Sequence, residues 1–123
     1  MGELPKVLPT PPRKEIMYTV EISLHRYTMP EDRSDPAERR LAVAYSSTHR
    51  TPAAASRRLA ELIGGHTARA KSVEHHVADT RRKLKGERPD GWTSTRYVIR
   101  DEAGEEFSLL AFRRRHDLPY STR

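Results

Sequence analysis

The sequence predicts a small α+β domain in which an antiparallel sheet packs against two helices in the order β-β-α-α-β-β, preceded by a proline-rich arm. Three observations carry this. Residues 16 to 24 alternate apolar and polar side chains, the period of a half-buried strand. Two segments between residues 51 and 85 repeat their apolar positions at helical spacing. Two β-rich runs then flank the turn-forming stretch "DEAGEE". At 123 residues the chain suits one domain, placed at 15–123, which would bury about two-thirds of its unfolded surface.

The arm, residues 1–14, carries Pro5, Pro9, Pro11 and Pro12, which favour extended polyproline II and lack backbone donors. In the first strand Ile16, Tyr18, Val20, Ile22 and Leu24 share one face, and Thr19, Glu21, Ser23 and His25 the other. The acidic, turn-rich "TMPEDRSDP" follows, and "RRLAVAYSS" then alternates Leu41, Val43 and Tyr45 as a second strand. Over 36–47 a short helix competes with it, because Asp35 offers an N-cap, Pro36 a first position and Glu38 a capping box.

"RTPAAASRRLAELIGG" is the clearest helix. Thr51 caps it, Pro52 starts it, Ala55, Leu59, Leu62 and Ile63 form its apolar stripe, and Gly64 takes the left-handed stop. A second helix runs from about Ala68 to Leu84, with Ala70, Val73, Val77, Thr80 and Leu84 recurring at spacings of three and four. "ERPDG" ends it. "WTSTRYVIR" and "EFSLLAFRR" then form a hairpin, and the apolar run Leu109 to Phe112 predicts that the last strand is central in the sheet.

Cysteine is absent, which excludes disulfides, thiolate zinc sites and thiol catalysis and fits a cytoplasmic protein. The first residues hold no apolar leader, Lys6 stands where a myristoylation signal wants Ser or Thr, and no apolar run nears the ~20 residues of a membrane span. A soluble protein with no membrane partner is expected.

The net charge of +6 is unevenly placed. Residues 1–48 hold seven Lys/Arg and seven Asp/Glu, and residues 87–123 again seven and seven. The whole excess therefore lies in residues 49–86, where nine cations meet Glu61, Glu74 and Asp79. On a helix at ~100° per residue, Lys71, His75, Ala78, Arg82 and Lys85 fall opposite Ala70, Val73, Val77 and Leu84. Arg81 and Lys83 flank that stripe, and Asp79 can pair with Lys83. Such a face suits a DNA or RNA phosphate backbone or an acidic protein surface. Arg57, Arg58, Lys71, Arg81, Arg82 and Lys85 are the candidate nucleic-acid contacts of a regulatory, DNA-binding or RNA-binding module. The chain has no Asn and no Gln, the residues that read adenine edges, so contacts should be insensitive to sequence.

An alternative is a protein-interaction module, an adaptor or inhibitor whose second helix pairs with another chain, as in a homodimer, through Ala70, Val73, Val77 and Leu84. No cofactor or metal is called for. The adjacent His75 and His76 diverge by ~100° on a helix, and His75 with Asp79 makes only two ligands. No glycine-rich phosphate loop or nucleophile elbow is present.

For catalysis the candidates are Arg113, Arg114, Arg115 and His116, with Tyr120. Arginines could stabilise phosphate charge while His116 or Tyr120 moves protons, although strand alternation would send Arg114 away from Arg113 and Arg115. The tail "RYVIRDEAGEEFSLLAFRRRHDLPY" resembles, over about twenty-five residues, the closing strands of RelE-like mRNA interferase toxins. That resemblance implies RNA cleavage near the C-terminus. The front of the chain departs from the pattern, since those toxins run from one strand directly into two helices.

Overall fold

A computed structural model describes residues 16–28 and 38–119; the proline-rich arm, the "TMPEDRSDP" connection beyond Thr28 and Tyr120 lie outside the described residues. The chain folds as β1 (Tyr18–Thr28), β2 (Glu38–His49), α1 (Pro52–Gly64), α2 (Ala68–Glu87), β3 (Trp92–Arg100), β4 (Glu106–Phe107) and α3 (Leu109–Arg115). All strand pairs are antiparallel and the sheet order is β2-β1-β3-β4. The α+β class and the predicted element order are borne out, with one further helix at the end.

Alternation in β1 places Val20, Ile22 and Leu24 in a core with Ile99 of β3, Ala55, Leu59 and Leu62 of α1, Ala70, Val73, Val77 and Leu84 of α2, and Phe112 of α3. That membership assigns the faces: the three helices cover one side of the sheet. Thr51 caps α1, accepting from the Ala54 amide, and Thr67 caps α2 by accepting from Ala70. The left-handed stop after α1 is Gly65 at φ 72°, one residue beyond the expected Gly64, and its amide closes on the Glu61 carbonyl. Ile63 is 52% exposed and not part of the core.

Residues 38–49 are strand, so the competing helix is not formed. Leu41 and Val43, however, do not share a face with Tyr45. Ile22 pairs with Tyr45 but Ser23 pairs with Val43, leaving Ala44 as the extra residue of a β-bulge. Tyr45, Ala44 and Ala42 thus pack against the core while Leu41 and Val43 stand exposed on the other side.

The larger correction concerns the C-terminus. The last strand is not central and ends after two residues, and Leu109–Arg115 is helix. Ser108 caps that helix by accepting from the Ala111 amide, and Arg113 to Arg115 fill its last turn, where cations suit the negative end of the helix dipole. The apolar run is a helix that drives Phe112 into the core, between Tyr18, Phe107 and His116.

Candidate nucleic-acid interface

The outward side of α2 presents the expected stripe. Lys71, His75, Arg82 and Lys85 are exposed and Ala78 is half-buried. Lys71 and Lys85 are 14 residues apart, about 20 Å along a helix axis. Arg57, Lys71, Lys83 and Lys85 make no ion pair with any described carboxylate. Arg82 pairs with Asp79 at 2.8 Å, taking the acid expected to go to Lys83, and Arg81 donates to Thr95 Oγ1 of β3 at 2.8 Å. Arg58 belongs to the scaffold: it donates to the Tyr45 hydroxyl at 2.7 Å and pairs with Glu61. Ala70, Val73, Val77 and Leu84 are consumed by the chain's own core, so they are not a seam for a second helix.

The C-terminal half of α2 is fastened to one end of the sheet by Arg26. This side chain is 2% exposed, and donates to the Leu84 carbonyl at 2.8 Å, to Glu87 at 3.0 Å and to Glu38 at 3.2 Å. Each acceptor has a second partner. Arg88 serves Glu38, Arg40 serves Glu87, and the Arg88 amide also donates to the Leu84 carbonyl. Gly91 lets β3 start against this clamp, since a Cβ there would lie 3.0 Å from Arg26 Cγ and 3.1 Å from Thr28 Oγ1.

Among the described residues the catalytic candidates do not converge. The strand-alternation objection lapses because these residues are on a helix, but Arg113 turns inward, buried, and donates to Ser56 Oγ at 3.0 Å, whereas Arg114 and Arg115 are exposed. His116 caps α3 and sits against the rings of Phe112 (4.4 Å) and Tyr18 (5.4 Å). Of the closing strands implied by the toxin resemblance, the first is the end of β3, but the second is a two-residue strand that gives way to this helix. A shallow cavity of about 270 Å³ lies nearby, lined by Arg96, Tyr97, Val98, Glu106, Phe107 and Ser108, with its one cation paired to Glu106 at 3.2 Å. His75 and His76 are both exposed, and among the described residues no group of three or more His, Asp or Glu is placed to hold a metal.

Sequence reasoning missed the face of the sheet opposite the helices, which no described element covers. Its side chains come in cross-strand rows, because antiparallel partners share a face. Arg39, Tyr27 and Trp92 form the row nearest the end of α2, followed by Leu41, His25 and Ser94, and then Val43, Ser23 and Arg96. The Tyr27 and Trp92 rings are near-parallel, 29° apart with centroids 5.8 Å apart, and Tyr27 stacks in turn on His25 at 6.2 Å. The Arg39 guanidinium lies 6.0 Å from the Tyr27 centroid.

His25 is buried beneath Arg39, whose Nη2 donates to its Nδ1 at 3.0 Å. The ring proton therefore sits on Nε2, 3.4 Å from Ser23 Oγ. Burial first, and then the charges of Arg39 and Arg96, hold this imidazole below the usual histidine value, against opposing effects of Glu106 and Glu21. His49 is lowered in the same direction by burial, Arg58 and Arg69.

No protein-family model, curated protein or solved structure matches the chain. Among the described residues no helix is long and apolar enough to cross a membrane.

Proposed function

We propose that this chain is a small nucleic-acid-binding module that contacts the phosphate backbone through the basic face of α2. The observation that supports this is the stripe from Lys71 to Lys85, exposed along about 20 Å, with Lys71, Lys83 and Lys85 lacking any described carboxylate partner. Cations committed to stabilising a fold are ordinarily paired, as Arg26, Arg40, Arg88 and Arg100 are here. Arg57 on α1 and Arg81 and Arg82 on α2 are further exposed cations. Arg58 is left out because its guanidinium is engaged by Tyr45 and Glu61.

Backbone contacts of this kind fix affinity without reading bases, in keeping with the absence of Asn and Gln. Fluorescence anisotropy with labelled oligonucleotides, between about 50 and 200 mM salt, tests it. About four phosphate contacts give a slope of log K against log salt near −3 to −4, and the triple variant K71E/K83E/K85E should lose most of the binding. Absence of any complex at about 50 mM salt, or binding unchanged in the triple variant, would remove the proposal.

A further inference from the structure

The Arg39, Tyr27 and Trp92 row carries an inference beyond backbone contact. These residues stand side by side on three neighbouring strands, so at about 4.8 Å per strand they form a platform about 10 Å across. Tyr27 and Trp92 are stacked, and Arg39 lies toward the Tyr27 ring. Trp92 is nonetheless 53% exposed. A tryptophan already oriented by a parallel neighbour, yet half in water, offers a flat surface that the described fold does not use.

Three further features specify what would lie there. The platform sits at the end of the sheet where Arg26 holds the last turns of α2, so the cations from Arg81 to Lys85 are behind it. β4 pairs only with Ile99 and Arg100, which leaves the outer edge of β3 from Trp92 to Val98 without a strand partner among the described residues. Arg81, bonded to Thr95, marks that edge, and a chain crossing it passes from the Trp92 ring to the basic helix.

We infer that this row is a stacking site for unpaired bases, so that the ligand of the module is single-stranded nucleic acid. Bases stack on the Tyr27 and Trp92 row, and the phosphates cross the β3 edge toward Arg81 and the α2 cations. A duplex hides its base faces, whereas every unpaired base presents one, which makes the contact tolerant of sequence. The inference rests on the function proposed above and adds the class of strand.

Trp92 is the only tryptophan of the chain, so its emission reports the site directly. Titration with oligothymidylate, oligouridylate and a duplex of equal length should give saturable quenching by the single strands and binding at least about tenfold weaker for the duplex. The two single-strand arms distinguish DNA from RNA. By labelled-oligonucleotide anisotropy, Trp92→Ala should lower single-strand affinity about 5- to 150-fold, the range that loss of one stacked base gives, while Trp92→Phe stays within about threefold of the parent. Circular dichroism checks that the alanine variant is folded. If it is not, Arg39→Ala on the exposed end of the row takes its place, with a loss of at least about threefold expected.

Salt-dependent binding that is equal for duplex and single strand, and undiminished in folded Trp92→Ala or in Arg39→Ala, would overturn the stacking site and leave the backbone proposal standing. No binding of any nucleic acid would overturn both. A Trp92 emission that shifts with protein concentration, is insensitive to oligonucleotide and tracks a dimer in sedimentation would assign the surface to a second copy of this chain, and so overturn it as well.

Discussion

Replacing Arg26 should separate the work of its charge from that of its stem. The charged group makes three hydrogen bonds, but its Nε is buried without a partner, and Glu38, Glu87 and the Leu84 carbonyl each keep another donor when it is gone. Glu38 and Glu87 are also about half exposed, so neither is stranded in an apolar site. Breaking a fully buried pair costs about 3–5 kcal/mol because it strands a charge, and that penalty does not arise here. Arg26→Met keeps an unbranched stem under Gly91 and should therefore cost about 1–2 kcal/mol. Arg26→Ala also loses the two buried methylenes Cγ and Cδ at about 0.8 kcal/mol each, which brings its total to about 2.5–3.5 kcal/mol. Urea denaturation followed by Trp92 fluorescence and circular dichroism measures both. Equal losses in the two variants would refute the reasoning, for the ionic contacts would then dominate and the second partners would not compensate.

The remaining predictions use the same scaffold. Gly91→Ala pushes a methyl to about 3 Å from the Arg26 stem and Thr28, and should destabilise by about 1–3 kcal/mol in the same denaturation assay. Phe112→Ala, which empties a site enclosed by three rings, should cost about 3–5 kcal/mol and abolish the near-ultraviolet dichroism of the aromatic cluster. Stability should be fully present above about pH 6.5 and fall as the pH drops below it, because His25 and His49 bind protons less readily folded than unfolded. His25→Phe should flatten that fall in a pH series of denaturation midpoints. Thr67→Ala removes the α2 cap and the hydroxyl that donates to Glu61 at 2.6 Å; it should cost about 1 kcal/mol and raise the Glu61 pKa, read by carboxyl NMR titration.

The elements legible in the sequence were those that a single period governs. Val20, Ile22 and Leu24 alternate into the core, and Ala70, Val73, Val77 and Leu84 repeat at helical spacing, so both sets are buried as expected. Leu109 to Phe112 is uniformly apolar and has no period to read, and the deciding signals were the cap at Ser108 and the arginines of the last turn. The basic stripe was equally legible, being local to one helix. Its fastening by Arg26 was not, since Arg26 and Glu87 are 61 residues apart. Nor was the aromatic row: Tyr27 and Trp92 meet only through the register of β1 with β3, which no local pattern encodes.

The bulge at Ala44 decides what the first half of β2 shows to the surroundings. Strand side chains change sides with every residue, so one additional residue reverses all that precede it. Were Ala44 instead paired with Ser23 in a regular ladder, the two surfaces of that segment would be exchanged, with Leu41 and Val43 toward the helices and Ala42 outward; deleting Ala44 outright would only straighten the strand, because Tyr45 would still face Ile22 and Val43 would still face Ser23. The water-facing character of Leu41 and Val43 is thus a matter of register rather than of hydrophobicity: the bulge absorbs one residue and so decides which side of the sheet each of them occupies.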